Sequence, residues 1–282
     1  MRKTFAILAA TLLAAVIPVS AKNKINSFGT VIDRPGQYVL TADLDAGGAS
    51  GPAITIKSDQ VHLDLNGHSI TGNGDHLTAS NVGILVAGKA DAPRSHVFIS
   101  DGRVTGFRFG VELDFTSKSS VSKMLVEGNW RGIWLNNSSR NLVLKNTAVN
   151  QACCGIRLDY SQHNVIAEND CLRNGNQGMA IWEGISNLVL NNTVSENGLV
   201  GIWLITGTEN LLAHNELKKN NTFPGPACAT GGIALGYPTA PYFPTDNHLV
   251  ANISLENANP NALMWADVFD NSLYANGDCS NK

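Results

Sequence analysis

The segments NLVLKNTAVN (141–150), NVIAENDCLRN (164–174), NLVLNNTVSEN (187–197) and NLLAHNELKKN (210–220) each begin 23 residues after the one before. A second asparagine column, Asn146, Asn169, Asn192 and Asn215, keeps the same period. Glycines keep time with both. Gly132, Gly155, Gly178 and Gly201 are also 23 apart, Gly110 leads by 22, and each opens a short apolar run: GVELDF, GIWLNN, GIRLDY, GMAIWE, GIWLIT. A period of 20 to 50 residues signals a solenoid, a propeller or an array. A leucine-rich repeat places its asparagine three residues after the last leucine of the strand, whereas Leu144 precedes Asn146 by two. Each period also holds at least two strand-like runs and no ten-residue helical pattern, which excludes a horseshoe. Short strands parted by single-residue corners, with every coil pairing to the next, form an all-β parallel β-helix of about seven or eight coils.

Side chains alternate in and out along such strands. Ile156 and Leu158 of GIRLDY, Val143 and Ala148 therefore point inward, and Asn146, Asn169, Asn192 and Asn215 stack as an inward amide ladder at one corner. Cys171 falls in the column of Ala148, Val194 and Leu217, a buried free thiol. Lys145, Glu168, Asn191 and His214 form an outward column, read as a solvated face.

Composition agrees. Of 282 residues 43% are hydrophobic and 15% charged, with 27 glycines and 31 asparagines, a bias to turns and small polar stacks over helix. The formal charge of -3 gives no basic footprint for a nucleic-acid partner. Residues 1–21, with Arg2 and Lys3 ahead of an apolar run and Val19-Ser20-Ala21 at its end, read as a secretory signal peptide cleaved after Ala21. No second apolar run offers a membrane span. Residues 22–282 then form one domain, with a cap over about 22–50 and an irregular end after about 260, secreted or periplasmic. Cys153, Cys154, Cys171, Cys228 and Cys279 meet an oxidising compartment there, and an odd count leaves at least one free thiol or an intermolecular bond. Adjacent cysteines rarely bond comfortably, so a distant partner or free thiols are expected at Cys153 and Cys154. The seven histidines share neither a column nor ligand spacing, which argues against an imidazole metal site.

The repeated N-x-[V/I/L]-x-x-N and G-[I/M]-x-[L/I] patterns, with the opening segments PGQYVLTADL and GPAITIKSDQVHLDLNGHSITGNG, resemble the right-handed parallel β-helix repeat proteins of the pectate-lyase-like superfamily. The resemblance covers nearly all of the chain after residue 21. It implies that the strand after each glycine belongs to the sheet that carries the active site in such proteins. Its outward columns run Glu112, Trp134, Arg157, Ala180, Trp203 and Asp114, Asn136, Asp159, Trp182, Ile205. Pyranose rings stack on indoles while hydroxyls take polar partners, so this face is expected to bind a polysaccharide through Trp134, Asn136, Trp182 and Trp203. Between Gly201 and Gly232 the period stretches to 31 residues. The inserted loops hold Tyr237 and Tyr242 among prolines, and read as stiff walls of the same groove.

The resemblance also implies chemistry. In a pectate-type lyase Arg157 would be the base, while Asp159, Asp114 and Glu112 would hold Ca2+, the one cofactor the resemblance brings. In an inverting glycosidase, Glu112 with Asp114 or Asp114 with Asp159 would be the carboxyl pair. The chain carries no tandem-Asp, DPH-type, WxDH or RxPxxR string. A simple Arg157–Asp159 ion pair is the plain alternative at the site, and a non-catalytic carbohydrate-binding or structural surface protein the alternative for the whole chain.

Overall fold

A computed structural model describes residues 22–78, 80–220, 231–236, 244–255, 257, 272–274 and 277–279. The chain coils into an all-β solenoid of about eight turns, with no helix among these residues. One nine-stranded sheet takes a single strand from each turn: Thr30–Ile32, Ile54–Ile56, Val82–Ala87, Phe109–Asp114, Arg131–Asn136, Cys154–Asp159, Gln177–Trp182, Val200–Leu204 and Gly231–Leu235. Every pairing in it is parallel and joins one turn to the next. A nineteen-stranded sheet wraps the remaining sides with shorter strands such as Leu142–Leu144 and Thr147–Val149.

The register is that of the 23-residue period. Ile133 pairs with Ile156, Ile156 with Met179, Met179 with Ile202 and Ile202 with Ile233. These side chains fill a single core running from Ile25 to Leu249. The glycine that opens each strand is required by close approach. A Cβ on Gly155 would stand 2.6 Å from the carbonyl oxygen of Gly178 one turn on, so no other residue fits without moving backbone.

The asparagine ladder is present and is one of three. Asn146 Nδ2 donates to Asn169 Oδ1 at 3.0 Å and to Val121 O at 2.9 Å, while its backbone N–H also donates to Asn169 Oδ1. Asn169 repeats the pattern toward Asn192, and Asn192 toward Asn215. The Asn141, Asn164, Asn187, Asn210 column does the same. The third ladder, Gln151, Asn174, Asn197 and Asn220, was not singled out from the sequence although its asparagines also repeat every 23 residues. Nearly every amide hydrogen-bonding group is thus satisfied by the turn above or below, which makes its burial affordable.

The column Lys145, Glu168, Asn191, His214 sits at these corners. Their φ angles, 55°, 54°, 54° and 56°, are left-handed, and this bend turns the following asparagine inward. Cys171 is a free thiol in the core, fully buried, as its column implies.

Candidate functional site

The outward columns of the nine-stranded sheet are aligned as the period requires. Glu112 pairs with Trp134, Trp134 with Arg157, Arg157 with Ala180 and Ala180 with Trp203; Asp114 pairs with Asn136, Asn136 with Asp159 and Asp159 with Trp182. Because strands stack directly, residues far apart in sequence become neighbours about 4.8 Å apart.

Asp159 is the hub. Arg157 Nε donates to its Oδ1 at 2.8 Å and Oδ2 at 2.9 Å, Trp134 Nε1 donates to Oδ2 at 2.9 Å, and Arg131 Nη1 lies 3.8 Å from Oδ2. The side chains of Arg131, Arg157 and Asp159 are only 14%, 11% and 10% exposed. Two guanidinium groups therefore share one carboxylate in a water-poor setting. The ion pair weighed as the plain reading of Arg157 is real, and against Asp159 alone it leaves one positive charge over, with the Glu112 carboxyl and the Cys153 thiol as further neighbours of Arg131.

Aromatic rings support the cations. The Arg131 guanidinium lies 4.4 Å from the ring centre of Trp130, 4.7 Å from that of Trp134 and 5.7 Å from that of Phe109. Arg108 lies over Trp130 and Phe109, and Arg157 is 5.5 Å from the ring centre of Trp182. Phe109 and Trp134 pack with ring centres 4.7 Å apart. Nε of Arg131 and of Arg108 are buried without a hydrogen-bond partner among the described residues. Arg108, Arg131, Phe109 and Trp130 did not stand out from the sequence because they lie outside the two columns that the glycine count selects. The strand register, Phe109 with Arg131, is what brings them together.

The acids divide. Glu112 is pushed up to about 7, first by burial and then by the charge of Asp114. Burial also raises Asp114, against the hydrogen bond it accepts from Asn136 Nδ2 at 3.0 Å. Near neutral pH, Glu112 is therefore a carboxyl poised between its two forms while Asp159 is locked to an arginine.

The three tryptophans of the face differ. Trp182 is 41% exposed, and Tyr160 on the preceding turn, whose backbone N–H donates to Trp182 O, is 53% exposed. Trp134 is half-buried in the arginine cluster. Trp203 is 8% exposed, packs with Val200, Ile205 and Ala234, and donates its Nε1 to Gly236 O at 2.8 Å. It therefore reads as a packing residue more than an open sugar platform. Tyr237 and Tyr242 lie outside the described residues, as do Cys228 and residues 1–21.

At the start of strand Cys154–Asp159, in register with Arg131, the two cysteines sit side by side. Cys153 and Cys154 are free thiols with sulfurs 2.8 Å apart, and Cys154 Sγ donates to Gln177 Oε1 at 2.9 Å. Their adjacency in sequence carries no sign of a place beside this face.

The chain matches the model of the family described as NosD, periplasmic copper-binding protein, over residues 45–223. Among solved structures it resembles the Dettilon tailspike protein, with 16% identity and a TM-score of 0.62 over 82% of this chain and 54% of that one. It also resembles the pectate lyase Pel9A, with 14% identity, a TM-score of 0.56 and coverage of 75% and 57%. The periplasmic alginate epimerase AlgG gives 12% identity, 0.52, and coverage of 88% and 77%. At these identities the likeness is one of fold. The chain spans about half the length of the tailspike. Comparison with curated protein sequences gives no match. Among the described residues no three His, Cys, Asp or Glu side chains gather where they could hold a metal ion, so those residues do not supply the copper of the family's description with a three-ligand set.

Proposed function

This chain belongs to the NosD family, and on that premise we propose that it works in the periplasm by binding an acidic polysaccharide on the outward face of the nine-stranded sheet. The carrying observation is the pair of guanidinium groups, Arg131 and Arg157, that share the single carboxylate of Asp159 beside the open indole of Trp182. A uronate ring would stack on Trp182 and present its carboxylate to the surplus positive charge. Low water content around the arginines strengthens that attraction. The alginate epimerase and pectate lyase likenesses agree with a glycan as ligand.

A second reading, cleavage or epimerisation of the bound chain, is favoured by one observation. Glu112 holds a carboxyl with a pKa of about 7 on the same sheet as Asp159, which is held by Arg157, and carboxyls in unlike environments supply an acid and a base. Asp114 and Arg157 complete the group that would act.

Affinity electrophoresis of the folded chain through gels containing uronate or neutral polysaccharides tests the binding. Retardation by a uronate polymer, weakened by salt, is expected, together with an about tenfold loss in Trp182→Ala, corresponding to about 1.4 kcal/mol. Passage without retardation through every uronate gel would overturn it. Ultraviolet absorbance of unsaturated ends and the release of reducing ends, each with and without Ca2+, decide between binding alone and turnover.

A further inference from the structure

We propose that Cys153 and Cys154 form a dithiol–disulfide couple, a covalent redox site beside the arginine face that exchanges with low-molecular-weight disulfides. Two thiols on adjacent residues are held with their sulfurs 2.8 Å apart, and the two are not equivalent. Cys154 is fully buried and spends its proton on Gln177 Oε1. Cys153 is nearly buried, at 8% exposure against none for Cys154, and accepts a long hydrogen bond from Asn176 Nδ2 at 3.7 Å.

The surroundings separate their acidities in the direction an exchange reaction uses. The contact with Cys154, then the nearby Arg131 and Asn176, lower the Cys153 thiol below the usual range in spite of its burial, while Cys154 is pushed up by its neighbour and by burial. Cys153 is thus the thiolate that attacks and Cys154 the thiol that resolves. Cys171 supplies the contrast. It is a fully buried thiol whose burial raises its pKa, with no cysteine beside it.

The Cys153 thiolate attacks one sulfur of R–S–S–R, forming Cys153–S–S–R and releasing RS⁻. Cys154 gives up its proton to solvent and attacks Cys153 Sγ, forming the Cys153–Cys154 bond and expelling the second RS⁻. Two protein thiols are oxidised and one disulfide is reduced to two thiols. Adjacent Cα atoms stand about 3.8 Å apart, short of the usual span of about 4.4–6.8 Å for a disulfide, so the bond is strained and readily reduced again. That suits a couple that turns over more than a permanent cross-link.

Trypsin isolates the site, because cutting after Lys145 and Arg157 releases Asn146–Arg157 with both cysteines and no other. The folded chain is incubated with oxidised glutathione, quenched in acid, unfolded, alkylated, digested and weighed. Expected is an unalkylated Asn146–Arg157 peptide lighter by two hydrogens that returns to the doubly alkylated form after dithiothreitol, with Cys171 alkylated throughout. In Cys154→Ser, or in Cys154→Ala should the serine form fail to fold, a glutathione adduct stays on Cys153. A doubly alkylated wild-type peptide, or a stable glutathione adduct on wild-type Cys153 without ring closure, would overturn the proposal.

Discussion

The corner ladders and the outward face of the nine-stranded sheet are built from the same coils, yet they follow opposite rules. Along the ladder the residue is asparagine at Asn146, Asn169, Asn192 and Asn215, each bonded to the next and fully or nearly fully buried. Across the solenoid, the column Glu112, Trp134, Arg157, Ala180, Trp203 never repeats a residue on successive turns. A position that must satisfy the turn above and the turn below admits few solutions, and along this ladder the chain uses asparagine on all four turns, with Gln151 opening the neighbouring ladder. A position facing outward is bound by no such rule. Departure from the period is therefore where function is to be sought in a solenoid, and here it gathers two arginines, three acids and an open tryptophan.

The sharpest way to break the comparison is Asn169→Ala. The substitution orphans Val143 O and the Asn146 amide donors in a dry interior. At about 1–3 kcal/mol for each unsatisfied group, a loss on the order of 3 kcal/mol or more is expected in urea unfolding. A loss below about 1 kcal/mol would mean that the ladder is not what fixes the corners.

Next comes Glu112→Gln on the aperiodic face. The folded-state pKa of Glu112 lies near 7, above its value in the unfolded chain, so the folded chain holds the extra proton between about pH 4.5 and 7. Stability should fall as pH rises through that window and level off above it. Glu112→Gln should flatten the slope, as read from unfolding midpoints across the range. An unchanged slope would place the titration elsewhere. The smallest effect belongs to Lys145→Ala. Its ion pair with Glu168, 3.4 Å long between half-exposed side chains, should contribute about 0.5 kcal/mol or less.

The fold was legible because the period counts residues directly. The 23-residue spacing of Asn141, Asn146 and Gly155 positions predicts the pairing of Ile156 with Met179 that the coils show. The site was half legible. Counting from the glycine aligned Arg157 with Trp134 and Asp159 with Trp182, which the register bears out. It could not tell that Trp203 is covered by Val200, Ile205 and, from the next turn, Ala234, nor that Arg131 stacks between Trp130 and Trp134, because both depend on how side chains lean across strands. The cysteine pair was missed for a similar reason. Adjacency in sequence was visible, but the arginine pairing with Cys154 comes from a strand 23 residues away.

The central claim is that the surplus positive charge beside Trp182 holds an acidic glycan. Its most direct test is the mobility of the wild type, Trp182→Ala and Asn169→Gln in gels with and without a uronate polysaccharide. Retardation of the wild type that is lost in Trp182→Ala and kept in any folded Asn169→Gln is predicted. A wild type that migrates alike in both gels, or retardation untouched by Trp182→Ala, would contradict it.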